Sequence, residues 1–170
     1  LVPDNYSFTI VATITGSGQA WDYNLNMTAF APVLTFDGIL IDDPDGQLDP
    51  GDTAEIGIII HNSGGTRIDA PGILVLISQF DDEFITLNGD DQFHIDGIEV
   101  DGNGIAYYNI SADPDTPIGH IASFELSIVQ LSTTGQDYIY IANISGSITV
   151  GLTWEDFESG SFVTLPWNFS

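Results

Sequence analysis

The sequence predicts an all-β fold: an antiparallel β-sandwich with an extra β-hairpin at the N-terminal end. Two observations carry this prediction. Apolar and polar residues alternate with a period of two along several segments, and clusters of Gly, Asp, Asn and Pro separate these segments. The spacing of apolar residues that an amphipathic helix needs does not recur. Strands with one buried face therefore account for the pattern.

Three segments show the alternation most clearly, and each predicts a strand. The residues expected on their buried faces are Ala54, Ile56, Ile58 and Ile60, then Phe124, Leu126 and Ile128, then Tyr138, Tyr140, Ala142 and Ile144. Further strands are predicted near 33–41, 72–79, 84–87, 92–95 and 104–110. This number of short strands between turn-forming clusters is typical of an immunoglobulin-like β-sandwich.

An internal repeat divides the chain. Residues 3–27 resemble residues 117–141: each segment has a proline, a strand containing Ser-Phe, a Gly-Gln turn and a strand with Asp-Tyr. Residues 1–30 are therefore predicted to be the last two strands of a preceding immunoglobulin-like repeat, and residues 31–151 the sandwich. Residues 152–170 are predicted to be a linker and the start of a following domain. A lone hairpin is marginal in water, so its apolar side must be covered by a preceding domain, by this sandwich or by a neighbouring molecule.

Composition excludes several classes of function. A single basic residue, Arg67, stands against 25 acidic ones, and the net charge of −24 would repel nucleic acid. The chain has no cysteine, so it has neither thiolate metal ligands nor a cysteine nucleophile. No apolar run approaches the length needed to span a membrane. With 43% hydrophobic residues, the chain is still apolar enough to form a core.

The stretch IDDPDGQLDPGDTAEIGIIIHNSGG, residues 41–65, contains an acidic turn before a strand. Four carboxylates, those of Asp43, Asp45, Asp49 and Asp52, would converge if the chain doubled back at Asp45-Gly46, and such oxygen ligands suit calcium (Ca2+). The spacing does not match an EF-hand loop. The alternative is a solvated turn whose aspartates cap the backbone, because Asp, Gly and Pro are also what such turns need.

Three stretches resemble a known family. The segment APVLTFDGILIDDPDGQLDPGDTAEIGIIIHNSGG resembles the start of the immunoglobulin-like domains that follow gingipain-type (family C25) peptidases in type 9-secreted surface proteins of Bacteroidota-like bacteria, although Asp52 replaces the usual Glu. TPIGHIASFELSIVQ resembles their penultimate strand. WEDFESGSFVTLPWNFS resembles the beginning of cleaved-adhesin, MAM-like jelly-roll domains. The resemblance implies a non-catalytic module of a large extracellular or cell-surface protein, and no peptidase role is carried over to this cysteine-free chain.

Candidate glycosylation sites are frequent. Five N-x-S/T triplets begin at Asn5, Asn26, Asn109, Asn143 and Asn168. Asn26, Asn109 and Asn143 are expected on the polar faces of strands, where a glycan would remain in solvent. Separately, the triplet Asp52-Thr53-Ala54 resembles the short O-glycosylation motif of Bacteroidota, with Thr53 as the acceptor.

Three functions remain open at this point. The first is a structural or adhesive spacer whose partners are neighbouring domains or copies of the same protein, with fibres forming by strand complementation. The second is a calcium-dependent carbohydrate-binding module that holds surface glycans on Trp21, Trp154 or Trp167. The third is an enzyme: paired carboxylates in turns could serve a glycosidase, but His61, His94 and His120 are scattered and no serine lies in a G-x-S-x-G context. The first is the prediction and the second its alternative.

Overall fold

The part of the chain that the structure describes forms ten β-strands and contains no helix. The structure is a computed structural model and describes residues 3–78, 80, 82–131 and 138–151. The strands are β1 (Tyr6–Gly16), β2 (Gln19–Ala29), β3 (Leu34–Asp42), β4 (Thr53–Asn62), β5 (Ile73–Ile77), β6 (Ile85–Asn88), β7 (Gln92–Ile95), β8 (Asn103–Ala112), β9 (His120–Leu131) and β10 (Tyr138–Val150). Every strand predicted beyond residue 31 is confirmed.

Eight of these strands form two antiparallel sheets that pack face to face. One sheet has the order β3-β4-β8-β6 and the other the order β10-β9-β5-β7. The first matches the A-B-E-D sheet of a constant-type immunoglobulin domain, and β10-β9-β5 matches the G-F-C sheet. Strand β7 is an addition that follows the D-type strand and pairs with β5. The predicted immunoglobulin-like sandwich is therefore confirmed, with one additional edge strand.

The core lies between the two sheets. The predicted inward residues of β4, namely Ala54, Ile56, Ile58 and Ile60, are all buried, and so are Phe124, Leu126 and Ile128 of β9. Burial of each isoleucine, leucine or phenylalanine side chain stabilises the fold by about 1.5–3 kcal/mol. These predictions of the core are confirmed.

The alternation predicted for β10 is interrupted. Ala142 and Ile144 lie in phase and pack on the core, but the pairing with β9 shifts register between Tyr140 and Ala142. A β-bulge inserts one extra residue into a strand, so a period of two does not continue across it. The prediction of a single alternating face from Tyr138 to Ile144 was therefore wrong, because Ile141 is the inserted residue.

The hairpin β1–β2 is a separate two-stranded sheet, in which Phe8 pairs with Met27 and Ile10 with Leu25. Because paired residues share a face, one side of the hairpin is apolar throughout. We call this side the hairpin apolar face; it consists of Tyr6, Phe8, Ile10, Ala12, Ile14, Trp21, Tyr23, Leu25, Met27 and Ala29. Its large side chains are all exposed, between 36% for Phe8 and 65% for Ile14 and Tyr23. This sandwich therefore does not cover the hairpin.

The domain boundaries fit this arrangement only in part. The break near residue 30 coincides with the end of the hairpin, and the sandwich occupies residues 34–150. The origin of residues 1–30 in a preceding repeat stays a prediction. The predicted linker and domain start at 152–170 lies outside the described residues.

A buried tyrosine joins the two sheets and gives a test of the packing. Tyr108 of β8 donates a hydrogen bond from its hydroxyl to the carbonyl oxygen of Val75 in β5, at 2.9 Å. Burial, with a further contribution from the negative charge of Asp91, raises the pKa of Tyr108 far above its ordinary value, so the hydroxyl stays a donor at all ordinary pH values. Tyr108→Phe should lower the free energy of unfolding by about 1 kcal/mol, since the Val75 carbonyl loses this partner.

The matched control for this prediction is Tyr107→Phe, on the exposed side of the same strand, which should change stability by less than about 0.5 kcal/mol. Trypsin provides the readout, because Arg67 is the chain's single Lys or Arg. Ile68, which follows it, is buried and exchanges two backbone hydrogen bonds with Ile98, so cleavage requires unfolding. Equal cleavage of the two variants along a urea series would contradict the role given to the Tyr108 hydroxyl.

Candidate functional site

The acidic turn closes one end of the sandwich. Leu48, in its middle, is fully buried and forms a parallel bridge with Val150 at the end of β10. The amide of Gly151 donates to the carbonyl oxygen of Leu48 at 2.8 Å. The backbone carbonyl oxygen of Asp52 accepts a hydrogen bond from the amide of Ala112 at 2.9 Å, which connects the turn to β8. The acidic turn thus covers this end of the sandwich, and the side chain of Leu48 at its centre lies in the core.

Within this turn the aspartate side chains cap backbone amides. The carboxylate of Asp43 accepts a hydrogen bond from the backbone amide of Asp45 at 3.3 Å, and that of Asp45 accepts one from the amide of Gln47 at 3.0 Å. The carboxylate of Asp52 accepts a hydrogen bond from the amide of Asp49 at 3.0 Å. Such Asx-type bonds allow a turn to satisfy its own donors without a ladder partner. Three of the four predicted calcium ligands therefore have a structural role.

The same carboxylates repel one another. Burial, followed by the charges of Asp45 and Asp52, raises the pKa of Asp49. For Asp43, the hydrogen bond from the Asp45 amide lowers the pKa, but contact with the Asp45 carboxyl, burial and the charges of Asp45 and Asp52 together outweigh it and raise the pKa. Raised values in a like-charged group indicate that the negative charges are incompletely compensated.

No group of three or more His, Asp or Glu side chains among the described residues is arranged to hold a metal ion. The chemistry of Asp43, Asp45, Asp49 and Asp52 suits calcium, while Asp43, Asp45 and Asp52 each use one carboxylate oxygen to cap a backbone amide. The calcium site therefore stays a prediction. Sequence reasoning missed Leu48, although a lone leucine between two acidic clusters was the available signal.

The described candidate glycosylation sites are accessible. Asn5, Asn26, Asn109 and Asn143 are exposed, as is Thr53 at the start of β4. Asn26 accepts a hydrogen bond from Thr9 at 2.8 Å, and Thr53 contacts Ser111 at 2.8 Å. Exposure permits modification of these side chains, which stays a prediction. Asn168 lies outside the described residues, as do Trp154 and Trp167.

A second candidate site lies between the hairpin and the sandwich. Asp4, just before β1, accepts the amide of Ala31 at 2.9 Å and the amide of Gly65 at 3.2 Å through the same oxygen. The first bond closes the base of the hairpin, and the second crosses to the sandwich. The Ala31 amide, against a smaller opposing effect of burial and with help from the Gly65 and Asn5 amides, lowers the pKa of Asp4.

Asn62 forms the sandwich side of this junction. Its side chain is fully buried; the oxygen accepts the amides of Val33 and Gly64, each at 3.2 Å, and the nitrogen donates to the carbonyl of Thr66 at 2.9 Å and, at 3.3 Å, to that of Glu99. A buried amide with all these bonds satisfied fixes its surroundings. We call Asp4, Asn62, Gly64 and Gly65, with residues 30–33 between them, the linker clamp.

Glycine is required at two positions of the linker clamp. A Cβ at Gly64 would collide with the carbonyl oxygen of Ala31 and the backbone nitrogen of Val33, and a Cβ at Gly65 would lie 2.5 Å from the Phe30 ring. The linker backbone thus rests directly on the turn. The sequence signal was the segment HNSGG, which sequence reasoning noted only as part of a family resemblance.

The histidines have separate structural partners. His120 lies 2.7 Å from a carboxylate oxygen of Asp82, with the Phe84 ring edge-on to the imidazole. His61 contacts Asn103, and His94 contacts the carbonyl of Pro71. Their contacts thus lie at three separate places among the described residues, so the structure does not assemble a catalytic triad from them.

Comparisons with known proteins add little beyond the fold. No family model matches the chain, and no curated protein matches it. Among solved structures, the CARDB domain of a Pyrococcus furiosus protein, crystallised in complex with di-metal ions, is 16% identical with a TM-score of 0.36, over 70% of this chain and 88% of that one. A FixG-related protein from Vibrio parahaemolyticus is 10% identical with a TM-score of 0.32, over 72% and 97%. The resemblance to gingipain-associated domains stays a prediction. In the described part of the chain, no helix is long and apolar enough to cross a bilayer.

The repulsion in the acidic turn predicts a pH-dependent effect of Asp49→Asn. The folded-state pKa of Asp49 lies above its unfolded value, so the charged carboxylate weakens the fold at neutral pH, and this weakening disappears as pH falls through the raised pKa. Asp49→Asn should therefore raise the melting temperature at pH 7, by about 1–3 °C, and leave it unchanged near pH 3. Asp90→Asn, in an exposed turn elsewhere, controls for the general loss of one charge; an equal rise in both variants would contradict local repulsion.

The capping arrangement also predicts the response to divalent ions. In thermal melts at constant ionic strength, calcium and magnesium should give equal melting temperatures, because both act on the charge of −24 only by screening. A rise specific to calcium in the wild type that the variant with Asp45→Ala and Asp49→Ala loses would contradict this expectation. That result would establish the calcium site which the spacing of the aspartates predicts.

Proposed function

We propose that the chain is a non-catalytic structural module of an extracellular or cell-surface protein, and that it holds the β-structure on its N-terminal side in a fixed orientation. The observation that carries this proposal is the linker clamp. Flexible connections between domains usually consist of exposed polar residues with few contacts. This connection has hydrogen bonds on both sides and rests on two glycines, and at Gly64 a Cβ would collide with the linker backbone.

The clamp acts on both ends of the linker. Asp4 ties the base of the hairpin to Gly65, and the buried side chain of Asn62 holds Val33, where the linker enters the sandwich. The Ser63 amide adds a bond to the Val33 carbonyl at 2.9 Å. A hinge would need backbone free to change its dihedral angles, and these contacts remove that freedom. A force on the hairpin, or a change in its orientation, would thus be transmitted to the sandwich.

An adhesive role and fibre formation are finer versions of this proposal. The hairpin apolar face supports them, since an exposed contiguous apolar surface of this kind marks an interaction site. The carbohydrate-binding alternative has less support. Trp21 is exposed, but it pairs with Ile14 in a continuous apolar row, so its exposure follows from the uncovered hairpin.

Spin-label distances test the proposed rigidity, and the absence of cysteine makes labelling specific. Labels at Asn24→Cys, on the polar side of β2, and Ser145→Cys, exposed on β10, span the junction. The distance distribution should be narrow in this otherwise wild-type chain and at least about twice as broad with Asp4→Ala, because both bonds from Asp4 are lost. It should also broaden as pH falls through the lowered pKa of Asp4, since protonation weakens the same bonds.

Two further variants make the result specific to the linker clamp. Gly64→Ala should broaden the distribution because its methyl group displaces the linker, whereas Ser63→Ala in the same turn loses only a side-chain bond of 3.4 Å and should not. Resistance to trypsin at Arg67 confirms that the sandwich remains folded in each variant. A broad distribution in the wild type would overturn the proposed function.

A further inference from the structure

The first strand of the hairpin apolar face resembles the core-facing side of β9. Aligning Ser7-Phe8 with Ser123-Phe124 places Ile10 on Leu126 and Ala12 on Ile128. In both hairpins these residues share a face with their partners on the second strand. Phe8, Ile10 and Ala12 pair with Met27, Leu25 and Tyr23, while Phe124, Leu126 and Ile128 pair with Gly146, Ile144 and Ala142. The repeat therefore places matching apolar residues on the first strand of each hairpin, whereas the register of the second strand differs: Tyr23 pairs with Ala12, but the corresponding Tyr138 pairs with Leu131.

The two hairpins differ in what covers them. Leu126 is completely buried and Ile144 is 7% exposed, because the β3-β4-β8-β6 sheet packs on β9–β10. Their counterparts Ile10 and Leu25 are 46% and 44% exposed. The opposite side of each hairpin is more polar, although it includes Val11 on β1 and Ile121 on β9: Thr9 corresponds to Glu125, and both are exposed. The hairpin has the pattern of strands that complete a sandwich, without the sheet that would cover them.

The outer edge of β1 likewise lacks a partner strand among the described residues. In the sandwich, β9 pairs with β10 on one side and with β5 on the other, where Val75 lies opposite Ile128 and Ile77 opposite Leu126. Among the described residues, β1 pairs with β2 alone. A strand equivalent to β5 would therefore pair with the free edge of β1, with its residues opposite Ile10 and Ala12.

We propose that β1–β2 provides the last two strands of a second immunoglobulin-like sandwich that lacks its own final hairpin. This inference rests on the proposed function and names the partner of the junction. An intact second copy of this chain cannot supply the missing strand and sheet, because its β5 edge and its core are already occupied by its own β9–β10. The order of the repeat, in which the final hairpin follows the other strands, places the partner N-terminal to the hairpin in the same polypeptide.

The exposed area is sufficient for such an interaction. The large side chains of the hairpin apolar face together expose roughly 800 Å², counting about 150–250 Å² for each fully exposed aromatic residue. This matches the roughly 800 Å² per partner of a standard specific interface. No charged side chain lies on this face, although the chain as a whole carries −24. Covering it therefore desolvates no charge.

The test joins a copy of residues 33–119 to Asp4 of the chain, so that Asp4 takes the place of His120 and Phe8 the place of Phe124. If the proposal holds, the copy folds with the hairpin, and its Arg67 becomes as resistant to trypsin as the original. In a background with Trp154→Phe and Trp167→Phe, the emission of Trp21 should shift to shorter wavelength, and binding of the dye ANS should fall.

A matched pair of variants distinguishes pairing from non-specific collapse. Ile10→Glu places a charge where Leu126 is buried and should restore cleavage at the copied Arg67 by at least about tenfold, whereas Thr9→Glu reproduces the exposed Glu125 and should not. A copy that is cleaved at once while Trp21 remains exposed would overturn the proposal. So would concentration-dependent dimers of the unextended chain with Trp21 buried, which would assign the face to a second copy. The spin-label distances do not involve the copy, so they show separately whether the proposed function fails.

Discussion

The need to cover one apolar face of every strand determines most of this structure. Each sandwich strand carries aliphatic side chains on alternate positions, and the two sheets bury these faces against each other. The acidic turn contributes to the same core through Leu48, since the end of the sandwich between β8 and β10 needs an apolar cover. The hairpin obeys the same alternation but has no opposing sheet among the described residues. Its ten-residue apolar face is the part of the molecule that this fold leaves unsatisfied.

The charge of the chain affects how its surface can be used. With 25 acidic residues and one basic residue, exposed carboxylates find few cations and turn to backbone amides. Asp4, Asp43, Asp45, Asp52 and Asp82 all do so. These bonds form turns and the linker clamp without lysine or arginine. The pKa of Asp82 depends on opposing effects. Burial alone would raise this pKa, but the hydrogen bonds from the Phe84 amide and His120 outweigh burial and lower it.

Period-two alternation predicted the eight sandwich strands and the buried rows on β4 and β9, because side-chain direction in a strand depends only on sequence position. It failed at Ile141, since a bulge is fixed by tertiary pairing. The acidic turn was predicted as a turn, but the orientation of its carboxylates was not. Whether Asp43 and Asp52 converge on an ion or cap amides depends on backbone dihedrals that the aspartates do not specify by themselves. The burial of Leu48 depends on its contacts with Val150, which is about a hundred residues away in the sequence.

The linker clamp explains why a buried asparagine persists at the end of a strand made almost entirely of aliphatic residues. A buried amide that lost even one partner would destabilise the fold, so Asn62 is favourable only while Val33, Gly64, Thr66 and Glu99 remain in place. The linker thus contributes a bond on which the sandwich itself relies. Detaching the linker would leave Asn62 without the Val33 amide and expose the backbone groups of Gly64. The orientation of the hairpin and the stability of the sandwich are therefore coupled through one side chain, and a change at either is transmitted to the other.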